Sequence, residues 1–401
     1  MSEKTIVSRL WDALTSLKLT IVCLAALMAL VVACTLAQVH LGTWASVERY
    51  MRSWLVWWEL PGTVVSLPIF PGGALAGLVL GLNLISAQLR RLELSAKKAG
   101  IWIVHAGLIL LVAGEFVTGM FQEEHQLIFE EGQTTNFVES PRKVELALID
   151  STDPALDDVY GVPERTLSRE GDVAIPGTPL TLRVHRWYQN ASLFNLQPGL
   201  TPAATAGVGT QLAIEEAPPV TTDDRMNDSA ALVEPVADGR SYGTWLVSNA
   251  LGAPQSFVHE GHTYQLTLRS QREYLPFTMT LRDFKHDVYP GTDTPKNFSS
   301  LVHLQNPGSG ESRDVLIYMN QPLRYAGKAF YQASFGKGDT LSILQVVENP
   351  GWLLPYVSCV LVTLGLLVHF GISLRRALRR QGAGRAAPAA APTSSTPALE
   401  A

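Results

Sequence analysis

The sequence predicts an integral membrane α-helical protein, with four transmembrane helices, that also carries a large extracytoplasmic antiparallel β-rich domain. Three observations predict it. The 401 residues are 47% hydrophobic and only 17% charged, with a mean hydropathy of +0.13, against roughly 25% charge in an ordinary soluble chain. Four nearly charge-free runs are each long enough to cross a hydrocarbon layer, which takes about 20 residues of helix. Between the third and fourth runs, the pattern changes to short stretches of alternating apolar and polar residues, broken by Gly, Pro, Asn or Asp, which is the period of half-buried strands.

Taken in order, residues 1–18 hold Lys4, Arg9 and Lys18 and read as a cytoplasmic N-terminus. Residues 19–38 form the first span. Its apolar run is too long for a signal peptide and no small-residue cleavage site follows, so it reads as a retained helix. Residues 39–65 form an outer loop, where Arg49 and Arg52 are balanced by Glu48 and Glu59. The second span, 66–89, contains Pro68, Pro71, Gly72 and Gly73; either the helix is reshaped at its start or it truly begins near Gly73, with the prolines in the preceding loop. Residues 90–99, with Arg90, Arg91, Lys97 and Lys98, form a cytoplasmic loop, and 100–120 the third span. The fourth, 351–374, is followed by Arg375, Arg376, Arg379 and Arg380 and by a low-complexity tail over 375–401 that reads as disordered. The three basic flanks fall on one side of the membrane, which the positive-inside rule makes the cytoplasmic side, with both termini there.

Residues 121–350 then lie outside. They hold 17 basic and 29 acidic residues, a formal charge of −12, and are long enough to fold alone. Strand signals run over Thr181–Trp187, Thr263–Leu268, Phe277–Phe284, Asp314–Tyr318 and Leu341–Val347. Residues 201–238, rich in Ala, Thr, Pro and acids, read as a low-order insert on this domain.

Several chemistries are excluded. Cys23, Cys34 and Cys359 each lie in an apolar run, so the chain offers no disulfide framework, no C-x-x-C-H haem attachment and no Cys/His zinc spacing. There is no phosphate loop, dinucleotide fingerprint or nucleophile elbow; Gly336-Lys337-Gly338 lacks the upstream glycine a phosphate loop needs. A net charge of −5 without a basic stripe argues against nucleic acid.

What remains are polar groups in apolar surroundings. His105 sits about five residues into the third span, roughly 7 Å into the apolar layer from its inner side. Two readings are open: an imidazole bonded to a neighbouring backbone, or a haem-iron ligand through one ring nitrogen while the other donates a hydrogen bond. Glu115 lies about 15 Å further along and about 80° round the axis, so the two cannot share one ligand shell. His40 and His369, near the ends of spans one and four, read as interfacial polar residues or as partners in a haem pair. His259 and His262, in HEGH, read as a hairpin turn with a spacing also found in metal sites. Trp44, Trp54, Trp57 and Trp58 suit an outer aromatic belt or, less simply, a platform for a flat ligand.

With these residues laid out, the chain resembles the ResB-like family of cytochrome c biogenesis proteins, the smaller partner in the haem-delivery machinery called system II. The resemblance rests on LTSLKLTIVCLAALMALVVACTLAQ (Leu14–Gln38), PGGALAGLVLGLNL (Pro71–Leu84), KKAGIWIVHAGLILLVAGEFVTG (Lys97–Gly119), LRDFKHDVYPGTDTPKNFSS (Leu281–Ser300), MNQPLRYAGKAFYQASF (Met319–Phe335) and NPGWLLPYVSCVLVTLGLLV (Asn349–Val368). It implies a bacterial inner-membrane subunit that works with a CcsA-like haem-handling membrane protein, transiently shares haem b with it, and serves apocytochrome c. It implies a non-catalytic subunit rather than an enzyme on its own. His105 matches the histidine of the family's third-helix motif and is the one residue carried over as a haem axial ligand. WLVWWELPG at Trp54–Gly62 is only superficially similar to the partner's tryptophan-rich motif, and residues 191–242 match no part of the family. The alternative is a membrane-anchored scaffold whose acidic β domain docks apocytochrome or another partner without touching haem.

Overall fold

The computed structural model describes residues 6–59, 66–90, 95–220, 226–292, 295–336, 338 and 340–385. The chain divides into two compact units.

The first is helical, and the end of its long second helix, 36–47, groups with the second unit. A nine-residue amphipathic helix α1 (Ile6–Leu14) leads into α2 (Leu17–Ser46), which kinks where Gly42 takes a left-handed φ of 75° and ends in a π-helical turn, Val47–Arg52. A small hairpin, β1 (Leu55–Glu59) and β2 (Ser66–Pro71), precedes α3 (Gly73–Arg90); α4 (Ala99–Phe121) follows. A last long helix, α6 (Leu354–Arg385), closes the unit. Among the described residues, four helices are long and apolar enough to cross a membrane: α2, α3, α4 and α6.

Close helix contact is set by small residues, the usual device where lipid supplies no hydrophobic drive between helices. Gly100, Gly107 and Gly114 are buried along one edge of α4. A Cβ on Gly100 would stand 2.4 Å from the backbone N of His369, one on Gly107 3.0 Å from the carbonyl of Ser358, and one on Gly365 2.6 Å from the backbone N of Val104. Backbone therefore meets backbone along the α4–α6 seam. Ser358, fully buried there, returns its hydroxyl to the Leu354 carbonyl at 2.7 Å. The Pro71-Gly72-Gly73 turn has a similar cause: Cβ atoms on Gly72 and Gly73 would collide with the carbonyls of Ser53 and Met51. A polar knot ties α3 to the end of α1 and the start of α2. Asn83 donates to the carbonyls of Leu14 (2.6 Å) and Ser16 (3.1 Å) and accepts from the Thr20 hydroxyl (2.6 Å), satisfying carbonyls that the end of α1 leaves open.

The second unit is β-rich and antiparallel. Its strands are β3 (Glu123–Glu130), β4 (Thr134–Asp150), β5 (Asp158–Pro163), β6 (Gly171–Ala174), β7 (Leu180–Tyr188), β8 (Ala191–Asn195), β9 (Leu212–Glu216), β10 (Ala230–Ala237), β11 (Arg240–Ser241), β12 (Trp245–Ser248), β13 (Gln255–His259), β14 (His262–Val288), β15 (Pro295–Asn306), β16 (Glu311–Tyr318), β17 (Leu323–Tyr325), β18 (Lys328–Gly336) and β19 (Leu341–Glu348), with one helical turn, α5 (Glu164–Leu167), after β5. Ten strands form one sheet in the order β16-β15-β14-β4-β3-β19-β18-β17, with β13 on β14 and β5 on β4; five form a second sheet, β11-β10-β7-β6 with β12 on β10; β8 and β9 pair apart.

The long strands β4 and β14 bend at register shifts, between Ser270 and Arg272 and between Tyr274 and Met279, and so serve two cores. The segments holding Val144, Leu146, Leu148, Leu266 and Leu268 feed a core shared with the five-stranded sheet. The segments across the bend supply Val138, Phe277, Met279 and Leu281 to a second core around Phe129, Phe330 and Leu344. At the bend, Arg269 pairs with Glu145 at 3.1 Å and Arg272 with Glu139 at 2.8 Å.

The chain departs from expectation in four places. The outer loop 39–65 is helical to Ser46 and then holds the π turn and β1, while 60–65 lie outside the described residues. The span 66–89 opens with six residues of strand and turns helical only at Gly73, because Pro68 and Pro71 deny the ladder its donors. Residues 201–238 are not low-order where described. β9 and β10 are regular, and β10 alternates buried and half-buried side chains between β7 and β11–β12, because its apolar positions recur every second residue; 221–225 lie outside the described residues. The tail 375–401 is helical through Arg385, where Arg375, Arg376, Arg379 and Arg380 favour the end of α6; 386–401 lie outside the described residues, as do 1–5 and 91–94 of the predicted cytoplasmic segments.

Candidate functional site

His105 lies on α4, half-buried, and its Nδ1 is 2.8 Å from the carbonyl of Ile101, one turn earlier. That oxygen can only accept, so Nδ1 is the donor and Nε2 is the ring nitrogen left for a ligand. Both readings of this histidine therefore meet in one geometry: it is bonded to backbone, and the same bond fixes the tautomer that a metal-ligating imidazole uses. The direction of the ring follows from helix geometry. His105 stands about 140° round the axis from Gly100 and about 160° from Gly107, on the side of α4 away from the glycine seam. It is turned outward rather than toward α6.

The other sequence candidates do not join it. His369 packs its backbone against Gly100 on the seam, with its ring edge-on to Phe370 at 5.7 Å, which puts it on the opposite side of α4 from His105. His40 is exposed on α2, two residues before the kink at Gly42. Glu115 is exposed on α4. Trp44 is covered by the Arg142 guanidinium, 5.0 Å from its ring centroid. Trp57 and Trp58 are consecutive in β1, so their rings leave opposite faces of the strand and make no single flat platform.

His259 and His262 flank a two-residue hairpin between β13 and β14, with Glu260 and Gly261 both left-handed at φ 47° and 88°, as such a turn requires. The turn separates the histidines. His262 bonds Asp150 through Nδ1 at 2.8 Å and lies near Thr152; the two contacts outweigh Asp150's burial and hold its carboxyl below the usual range. His259 turns inward, 6% exposed, and bonds Tyr242.

Sequence reasoning missed two features. Glycines at every seventh position of α4 were legible as a packing seam. A charged knot in the β-rich unit was not, because it joins distant strands: Lys328 on β18, 7% exposed, reaches Glu273 on β14 at 2.8 Å and Glu348 on β19 at 2.5 Å. Burial disfavours this ammonium, but the two carboxylates prevail and hold its pKa above the ordinary lysine value.

Residues 246–344, from within β12 to within β19, match the ResB-like family. Protein NrfI of Wolinella succinogenes is 34% identical over 93 residues, which make up 23% of this chain and 10% of that protein. The chain thus spans about a tenth of that relative's length. The family match covers the second half of the β-rich unit and none of the helices, so His105 lies outside it. Over that segment of the β-rich unit the chain is similar to the ResB-like family.

Proposed function

We propose that this chain is a membrane subunit of c-type cytochrome biogenesis that handles haem together with a CcsA-like partner and delivers it to apocytochrome c. In this reading both termini and the 90–99 loop are cytoplasmic in a bacterial inner membrane, and the β-rich unit is extracytoplasmic. The observation that carries the haem assignment is His105: a membrane-helix imidazole whose Nδ1 is tied to Ile101 while its Nε2 points away from the chain's own helix seam. Such a group fits one axial position on haem iron. Among the described residues no second histidine converges on it, so the other ligand falls to the partner. Haem b is cargo here, shared across two chains. This chain is not an enzyme by itself; its residues hold and orient, and no nucleophile or general base is called on.

The test is co-purification with the CcsA-like partner. The complex should show a b-type absorption spectrum. His105→Ala should lose most of the bound haem and lower holocytochrome c yield, His105→Gly should regain haem with added imidazole, and His369→Ala and His40→Ala should keep both. Unchanged haem content and maturation in His105→Ala would sink the assignment.

The charge of the β-rich region favours a second reading in which this unit also docks the apoprotein. Its formal −12 over 121–350 would speed and orient encounter with basic partners. Crosslinking from this unit to apocytochrome c that persists in His105→Ala would support docking without haem; crosslinking lost together with haem would tie docking to cargo.

A further inference from the structure

We infer that the β-rich unit carries a divalent transition-metal site formed by Asp238, His259 and Glu260. The three come from two hairpin tips. Asp238-Gly239 turns β10 into β11, and Glu260-Gly261 turns β13 into β14; both turns place their acidic residue at positive φ, 49° and 47°. The five-stranded and ten-stranded sheets share the core under these tips, and their packing brings one ligand atom from each of the three residues within 4.8 Å of the others.

The independent sign of a ligand is His259. It is 6% exposed, its Nδ1 is 2.7 Å from the Tyr242 hydroxyl, and its Nε2 is fully buried with no hydrogen-bond partner. That nitrogen faces Asp238, whose Oδ2 stands 4.0 Å away, too far for a hydrogen bond. If Nε2 carried the proton, a buried donor would go unsatisfied, at a cost of about 1–3 kcal/mol. If Nδ1 carries it, donating to the Tyr242 oxygen, then an imidazole lone pair and two carboxylates converge with no donor among them. A cation at that point resolves both. The arrangement is the one metal-binding histidines use, with the second ring nitrogen hydrogen-bonded to a fixed neighbour.

Chemistry narrows the ion. One imidazole and two carboxylates suit a borderline first-row divalent ion such as Zn2+ rather than an all-oxygen Ca2+ or Mg2+ cage or a thiolate-loving Cu(I). Ligand atoms in a tetrahedral zinc shell lie about 3.4 Å apart, so Asp238 and Glu260, both exposed, need to swing inward by only about 1 Å. Three protein ligands leave the fourth position to water. His262, held by Asp150, is outside the set although the HEGH spacing would pair it with His259.

The test is equilibrium dialysis of the full chain, purified in detergent through a tag without histidines, against Zn2+ alone. Wild type should retain one zinc at this site. Asp238→Asn combined with Glu260→Gln, two exposed turn residues whose replacement leaves both cores intact, should weaken retention by at least about tenfold. Tyr242→Phe, which removes only the hydrogen bond to Nδ1, should weaken it by about tenfold. His262→Gln should retain zinc as wild type does. Co2+ substituted at the site should give a tetrahedral d–d spectrum that the double variant lacks. No retained zinc in the wild type, or equal retention in the double variant, overturns the site.

Discussion

Asn83 is wholly buried inside an apolar helix, yet all three of its hydrogen bonds go to α1, its connection and the start of α2. Each such bond in a membrane helix bundle contributes about 0.6–1.7 kcal/mol, so Asn83→Leu should lower stability by about 2–5 kcal/mol, measurable as earlier thermal unfolding in detergent. Acid should act elsewhere. Asp150 is held below the usual carboxylate range by Thr152 and His262 against its burial, Asp172 by Arg183, and Glu234 by Ser241 and His185. A depressed folded pKa contributes stability above the unfolded value, near 4, and that contribution is lost as pH falls through the folded value. The melting temperature of the β-rich unit should therefore hold near neutrality and drop below about pH 4. The raised pKa of Lys328 works in the opposite sense, its contribution being full below the ordinary lysine value and lost only in strong base. Replacing Lys328 with Met leaves Glu273 and Glu348 facing each other. As both are half exposed, a cost of about 1–2 kcal/mol in chemical denaturation is expected. The position of His105 was legible from the sequence, because a histidine inside an apolar run has to find a partner. The burial of His259 was not: its environment is made by Tyr242 and Asp238, some twenty residues away in the turns on either side of β11.

At the scale of elements, the apolar runs told of α2, α3, α4 and α6 because composition alone decides a membrane-length helix. The strand signals over Thr181–Trp187, Asp314–Tyr318 and Leu341–Val347 fall within β7, β16 and β19. Two others, Thr263–Leu268 and Phe277–Phe284, turn out to be halves of one strand, β14. The polar Arg269-Ser-Gln-Arg-Glu273 stretch and Pro276 broke the alternation there, and it is this bend that passes β14 from one core to the other. β10 hid for a related reason: Glu234 and Pro235 resemble linker sequence, while the apolar period that buries Ala231, Val233 and Ala237 is carried largely by small residues. The α4–α6 seam makes a sharper prediction. Because a Cβ on Gly107 would stand 2.8 Å from Val362 and 3.0 Å from the Ser358 carbonyl, Gly107→Leu should separate the helices, whereas Gly77→Ala, which meets nothing within 4 Å, should be silent. Cysteine crosslinking between the two helices would report the difference.

At the scale of the whole molecule, the buried clusters of the β-rich unit, among the described residues, are built from positions between 127 and 346. Residues 122–349 expressed alone should fold, giving a β-type circular dichroism spectrum and a cooperative melt. A molten, protease-sensitive product would show that the unit leans on the helices. How this body closes carries a consequence in time. Its first strand, β3, lies beside its last, β19, with Glu123 opposite Glu348, and α4, just before β3, has its glycine face covered by α6, just after β19. Neither partner exists until about two hundred further residues have been made, roughly 10–40 s of synthesis at about 5–20 residues per second. For that interval a bare strand edge and an uncovered helix face are presented together by the nascent chain, to proteases and to neighbouring chains alike. Protection of the unfinished chain during synthesis is thus a requirement written into the strand order itself.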